Sequence, residues 1–250
     1  MSIINISNGK SDYIKKVSND VFLINGNLFH LSSDLLRNCI NSRNKVAHIW
    51  FFKINQNSYE YLLSCEEKGK ANFYKRSVDR ERYIFCRGLL KILLGYYLQL
   101  EPINIYINEG TNGKPEVSPS PRLSFNLSHS NEVVIYVFSN FKKVGVDVEY
   151  IHDEYNFDRM VMNLLSLSDF HKFESFSSDE KKMLFFKIWT AREACFKALG
   201  GKLSDYSINL NDKYDSMDFK VRFRGVKLSS AKNIHFKICD DYIVALTLQI

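Results

Sequence analysis

The chain has 250 residues, of which 45% are hydrophobic and 25% charged; 34 basic against 28 acidic residues leave a net charge of +6. That usage is globular and long enough to bury a core without staples, and the basic excess is too mild to name a partner by itself. The longest apolar stretch, residues 89–100, is interrupted by Lys91, Gly95 and Gln99, so no membrane span is expected; the start MSIINISNGK lacks a secretory pattern, so a cytoplasmic protein is expected.

Residues 1–45 are polar and rich in Asn and Ser, with room for a strand or two around 21–31. IWFFKI, residues 49–54, reads as a buried strand. Over 66–100 the pattern turns helical: Tyr83, Cys86, Leu90, Leu94 and Tyr97 recur every three or four residues as a core-facing stripe. Pro102 ends it, and INIYI (103–107) reads as a strand. EGTNGKPEVSPSPR holds three of the four prolines and reads as loop. Strands are expected at 123–127, 133–138 and 144–149, helices at 160–176 and 179–199, and mostly strand from Phe219 on. Gly200 and Gly201 close the last helix. Helix and strand segments alternate twice, which predicts an α+β fold in two halves of similar size, 1–141 and 142–250, joined near Lys142. The five cysteines, Cys39, Cys65, Cys86, Cys195 and Cys239, are scattered and form no CxxC pair, which speaks against a zinc site or a disulfide framework.

Five segments carry candidate chemistry. In VGVDVEY, alternate side chains face opposite ways: Val144, Val146 and Val148 one side, Asp147 and Glu149 the other. Two carboxylates on one strand face suit Mg²⁺ when phosphates complete its shell; a half-solvated strand with a polar outer face is the alternative. In FFKIWTAREACFKALGG, Trp189, Glu193 and Lys197 form a stripe separate from the apolar one. It reads either as a third carboxylate plus a cation for a leaving phosphate, with Arg192 adding charge, or as a surface ion pair worth about 0.3–0.5 kcal/mol. FNLSHS places Ser128, His129 and Ser130 at a strand end where a phosphate could sit; taken alone, the histidine reads rather as a satisfied turn residue. A Ser–His–Asp hydrolase lacks its GxSxG elbow here. Gly113, Lys114 and Pro115 form a turn that can aim a lysine, or a plain surface turn. The basic run over 68–91 reads as a phosphate site or as a solvated helix face. Gly200-Gly201-Lys202 lacks the spacing of a phosphate loop.

Taken in order, GKP, FNLSHS, VGVDVE and WTAREACFKA, preceded by LSCEEKGKANF and DRERYIFCRGLLK, resemble the Sfp-type 4′-phosphopantetheinyl transferase family over about residues 48–210. The resemblance implies transfer of the phosphopantetheine arm of coenzyme A to a serine of an acyl or peptidyl carrier protein, with release of adenosine 3′,5′-bisphosphate. It implies two pseudo-symmetric α/β halves, with the active site in the cleft between them, in a monomer. By resemblance, Asp147, Glu149 and Glu193 would hold Mg²⁺, and Glu193 would take the serine proton, directly or through a water. Lys197 would neutralise the leaving bisphosphate. Ser128 and His129 would bind phosphate oxygens, and Gly113, Lys114 and Pro115 would lie by the adenine. Arg82 and Lys70 would contact the 3′-phosphate, and Trp189 would support the site.

The chain departs from the family pattern at Arg192 (usually Lys), Asp169 (often Glu), Glu67 (a lysine in a relative) and the GGKL turn, and residues 1–45 find no counterpart. Two rivals from other classes stand beside the transferase. One is a non-catalytic coenzyme A or nucleotide binder, which need not keep three carboxylates. The other is a nucleic-acid binder using the run 68–91, which lacks an aromatic-basic recognition motif. Neither nucleic acid nor membrane is expected as a partner. Fatty acid, polyketide, peptide-antibiotic and siderophore pathways, the last three belonging to secondary metabolism, are all open.

Overall fold

The computed structural model describes residues 5–6, 14–18, 20–25, 38, 41, 43–110, 113–117, 123–153, 157–162, 164–210, 219–224, 226–227, 231–238 and 240–249. The chain opens with strands β1 (Asn5–Ile6), β2 (Ile14–Ser18), β3 (Val21–Asn25) and β4 (Ala47–Lys53). Helices α1 (Cys65–Asn72) and α2 (Ser77–Leu98) follow, then β5 (Ile107–Glu109), β6 (Pro115–Val117), β7 (Ser124–Ser130), β8 (Val133–Ser139) and β9 (Lys143–Tyr150). Helices α3 (Phe157–Val161), α4 (Leu167–Glu174) and α5 (Ser178–Leu199) precede β10 (Tyr206–Leu210), β11 (Phe219–Phe223), β12 (Val226–Lys227), β13 (Ala231–Ile238) and β14 (Tyr242–Gln249). The expected mixture of helix and strand is therefore what forms, and among the described residues no helix is long and apolar enough to cross a membrane.

Several boundaries differ from the sequence reading. The helix expected over 66–100 is two helices, and the one expected over 160–176 also splits. In the second case a serine hydroxyl starts the new helix, Ser166 capping α4 by accepting from the Asp169 amide, whereas α2 begins after Arg76 with no side-chain cap; Ser64 caps the start of α1 by accepting from the Glu67 amide. Residues 102–104 form a 3-10 turn begun by Pro102, not a strand. The proline-rich stretch is not all loop, because β6 pairs antiparallel with β5 in the register Glu109↔Pro115. The sequence reading also missed β10, a five-residue run too short to show its period.

The chain divides into two compact units: Met1–Asp12, Asn126–Asn131 and Lys142–Ile250 form one, and Tyr13–Phe125 with Glu132–Phe141 the other. Asn126–Asn131, which carries the SHS motif, is thus counted with the C-terminal segment.

The second unit holds strands in the order β2-β3-β4-β8, with β3 and β4 parallel and the other pairs antiparallel. Helix α2 packs on β4 and β8 through aromatic contacts: the Tyr97 and Phe138 rings stack with centroids 4.4 Å apart, and the Tyr136 hydroxyl donates to the Cys86 carbonyl at 2.8 Å. Helix α1 is pinned to α2 by a buried charge cluster. Glu67 lies 2.8 Å from the Lys91 Nζ and 3.3 Å from the Arg87 Nε, and Lys91 is only 1% exposed. Two cations of the basic run are therefore internal counter-ions, whereas Arg80 pairs with Glu60 at 3.0 Å.

His48 is buried in the same unit, with its Nδ1 3.0 Å from the Tyr97 hydroxyl. Trp50 Nε1 donates to that hydroxyl at 2.9 Å. Burial lowers the His48 pKa to about 4. The unfolded chain then binds a proton that the folded chain refuses, so stability falls as pH drops from about 6.5 toward 4, by about 3 kcal/mol in all. Urea unfolding at pH 7 and pH 4.5 should show that loss, and His48→Gln should remove most of it. An identical pH slope in the variant would refute the assignment.

The first unit is built on a sheet of order β1-β13-β14-β9, with β1 parallel to β13 and the rest antiparallel. Helix α5 lies across β9 and β14. Its apolar residues Leu184, Ile188, Ala191, Ala194 and Cys195 share a core with Ile243 and Ala245. A capping box between Ser177 and Glu180 starts α5, and Gly200, at φ 82°, ends it. Strands β10, β11 and β12 form a separate antiparallel sheet. Cys65, Cys86 and Cys195, the cysteines among the described residues, are free thiols.

Candidate active site

Strand β9 lies at one edge of its sheet, paired only with β14 there. Gly145, Asp147 and Glu149 point toward α5, and Val144, Val146 and Val148 are buried on the opposite face. The face that could have been half-solvated is therefore roofed by a helix, and Asp147 is 3% exposed. Gly145 makes this close approach possible. A Cβ at that position would stand 2.1 Å from the Ala194 carbonyl oxygen and 2.5 Å from the Ala198 amide nitrogen. Contact at this point sets the height of the Trp189–Glu193–Lys197 stripe above the two carboxylates.

The stripe runs along β9 residue by residue. Lys197 Nζ donates to Asp147 Oδ1 at 2.6 Å and to Ser128 Oγ at 2.9 Å. Ser128 Oγ donates to Asp147 Oδ1 at 2.8 Å, which closes a triangle. One helical turn toward the start of α5, half-buried Glu193 comes next; a turn further, Trp189 Nε1 donates to Glu149 Oε1 at 3.2 Å. Lys197 and Asp147 form a partly buried pair 2.6 Å long, which the helix stripe by itself could not show.

Strand β7 supplies what the edge of β9 lacks. Its alternate residues Asn126, Ser128 and Ser130 run beside β9 with side-chain acceptors. Asn126 Oδ1 accepts from the Val146 amide at 2.9 Å, and Ser130 Oγ accepts from the Tyr150 amide at 3.1 Å. The Ser130 hydroxyl also donates to Glu149 Oε2 at 2.8 Å. Asn126 was not singled out in the sequence; the signal that could have found it is the two-residue repeat Asn126, Ser128, Ser130.

The three carboxylates are under electrostatic stress. Burial raises the pKa of Asp147 despite Lys197 and Ser128. Burial and then the Asp147 charge raise those of Glu149 and Glu193. Asp147 Oδ2 is buried and accepts no hydrogen bond. A buried acceptor left open among mutually repelling carboxylates fits a cation better than it fits nothing. Among the described residues no group of three or more acidic, His or Cys side chains is close enough to hold a metal by itself. Mg²⁺ does not need one, since it keeps waters and phosphate oxygens in its shell.

The other expected site residues stand as follows. His129 is exposed and lies on the opposite face of β7 from Ser128 and Ser130. Arg192 does not project toward a phosphate: its Nε donates to the Tyr206 carbonyl at 2.8 Å and its Nη2 to the Leu203 carbonyl at 2.9 Å. Asp169 is buried at the start of α4, where Ser166 Oγ donates to it at 2.9 Å. Lys70, Arg82, Gly113, Lys114 and Pro115 belong to the second unit. There Lys70 pairs with Glu109, and Arg82 lies 3.6 Å from Asp79. Gly113 takes a left-handed φ of 71° in a turn whose Gly110 amide donates to the Lys114 carbonyl at 2.8 Å.

The sequence pattern of the 4′-phosphopantetheinyl transferase superfamily matches residues 143–247, which contain β9, α5 and the three carboxylates. Over this segment the chain is similar to that superfamily. Among similar proteins of this superfamily is the 4′-phosphopantetheinyl transferase HetI of Nostoc, 28% identical over 66% of this chain and 74% of its own. The 4′-phosphopantetheinyl transferase AcpT of Escherichia coli is 34% identical over 49% of this chain and 59% of its own. The 4′-phosphopantetheinyl transferase psf-1 of Bacillus pumilus is 29% identical over 57% of this chain and 60% of its own. The matches to AcpT and psf-1 thus span less than two thirds of those relatives.

Proposed function

We propose that this protein transfers the 4′-phosphopantetheine arm of coenzyme A to a serine of an acyl or peptidyl carrier protein, releasing adenosine 3′,5′-bisphosphate. The observation that carries the reading is the register of α5 on β9, which sets Lys197 on Asp147 and Trp189 on Glu149 along one stripe with Glu193, beside a buried Asp147 oxygen with no hydrogen-bond donor.

In this reading Asp147, Glu149 and Glu193 hold Mg²⁺. The ion, when bound, draws charge from the pyrophosphate oxygens at which displacement builds it. Glu193 takes the proton of the carrier serine, directly or through a water. Lys197 supplies the positive charge for the departing bisphosphate once it turns from Asp147 to the phosphate. Ser128 orients Asp147 with its one hydroxyl hydrogen, and His129 binds phosphate oxygens, for which the support is the resemblance of its motif. Trp189 holds Glu149 in place. Lys70 and Arg82 serve the 3′-phosphate, and Gly113, Lys114 and Pro115 the adenine; for these the support is the resemblance of their motifs. The pseudo-symmetric two-halved architecture, the monomeric state and the cytoplasmic location belong to the same proposal.

The test is direct. Incubated with coenzyme A, Mg²⁺ and a panel of apo-carrier proteins, the protein should add about 340 Da, the mass of the arm, to one serine of at least one carrier. No mass gain on any carrier would remove the enzyme reading. Salt-dependent binding to random DNA that coenzyme A does not compete would favour a nucleic-acid binder instead.

A further inference from the structure

We infer that Ser130 is a positioning residue that fixes the Glu149 carboxylate for the divalent cation, an inference resting on the transferase reading above. Ser130 sits at the end of β7, two residues beyond Ser128, on the same side of the strand. It reads first as one of three donors offered to a phosphate. The geometry assigns it other work. Its one hydroxyl hydrogen goes to Glu149 Oε2 at 2.8 Å, and its oxygen accepts from the Tyr150 amide at 3.1 Å. A hydroxyl has a single hydrogen, so the same contact leaves none for a phosphate.

Glu149 is gripped from two directions. Ser130 holds Oε2 and Trp189 holds Oε1, from β7 and from α5. Both donors are neutral, and each occupies one acceptor direction of its oxygen, so the carboxylate keeps its charge and a free direction on each side. Asp147 differs, because its Oδ1 is shared by the Lys197 ammonium and Ser128. Of the two strand carboxylates, Glu149 is the one prepared by neutral donors alone. Because Ser130 is also tied to the Tyr150 amide, the carboxylate is referenced to the backbone of its own strand. Partners of this kind, one bond removed from a metal, typically change its affinity by about 10–100-fold when deleted.

The experiment compares wild type, Ser130→Ala and Ser130→Thr. Three readouts are taken: Mg²⁺ binding by calorimetry with saturating coenzyme A, Mg²⁺ dependence of transfer, and the melting midpoint without Mg²⁺. Ser130→Ala should weaken Mg²⁺ binding by about tenfold or more and raise the Mg²⁺ needed for half-maximal transfer equally. Its kcat at saturating Mg²⁺ should stay within about twofold of wild type. Ser130→Thr, which keeps the hydroxyl on a β-branched side chain suited to a strand, should restore the Mg²⁺ affinity. Unchanged Mg²⁺ binding in Ser130→Ala overturns the inference, and so does a lower melting midpoint with no change in Mg²⁺ affinity. If wild type binds Mg²⁺ and coenzyme A but loads no carrier, the transferase reading fails while the affinity comparison still decides Ser130.

Discussion

Replacing Glu193 by glutamine lowers phosphopantetheine transfer by about 10²–10⁴-fold, the range carried by a positioned general base, while the fold survives. Glutamine keeps the shape and cannot accept the serine proton. The stability half of this expectation follows from charge. Glu193 is only half-buried, and its carboxylate is disfavoured in the folded chain by burial and by Asp147. A neutral amide removes that conflict, so the melting midpoint should stay level or rise. Single-turnover transfer to a responsive carrier, with melting curves in parallel, measures both halves. Turnover within tenfold of wild type would refute the role of Glu193. Lost activity with a collapsed midpoint would mean that Glu193 supports the fold instead.

Gly145→Ala should cost about 3 kcal/mol or more and take the activity with it, the upper range for overpacking a core. The added methyl would meet the Ala194 carbonyl oxygen at 2.1 Å and the Ala198 amide nitrogen at 2.5 Å. Both are backbone atoms of α5, so no side-chain rotation relieves the clash. Either β9 or the whole helix must shift, and the helix carries Trp189, Glu193 and Lys197. Ala191 and Ala194 show the same closeness, 1% and 0% exposed on the facing side. Gly69 is the natural control, because a Cβ there meets nothing within 4 Å. Gly69→Ala, in the interior of α1, should stabilise by about 0.5–1 kcal/mol. Urea midpoints of the two variants against wild type decide the matter; equal midpoints for Gly145→Ala and wild type would disprove the close approach.

How much was legible beforehand differs from element to element. The alternation in VGVDVEY put Asp147 and Glu149 on one face, and the structure keeps them there, because strand geometry is local. The four-residue spacing put Trp189, Glu193 and Lys197 on one stripe for the same reason. The neighbour of each stripe was not legible. Glu193 and Lys197 read either as site residues or as a surface pair, and only packing shows that Lys197 reaches Asp147, fifty positions earlier in the chain. The basic run 68–91 looked like one patch. Helix α2 turned Arg87 and Lys91 inward onto Glu67, leaving Arg80 on Glu60 and Lys70 on Glu109. Arg192 looked like a cation near a phosphate and became a clamp on the carbonyls of Leu203 and Tyr206. The break before α4 was missed because a capping serine inside an apolar pattern, Ser166, looks like any other polar residue until its hydroxyl meets an amide.

The sequence by itself determined the chemical inventory: which carboxylates share a strand face, which cation and indole share a helix stripe, and the order of motifs that resembles a transferase family. These follow from periods of two and 3.6, which depend on backbone geometry alone. Only the tertiary structure decided that the two stripes face each other, that Asn126, Ser128 and Ser130 complete the edge of β9, and that Asp147 Oδ2 is buried without a donor. Those facts depend on packing between distant segments, where a missing Cβ at Gly145 sets how closely the helix can lie on the strand.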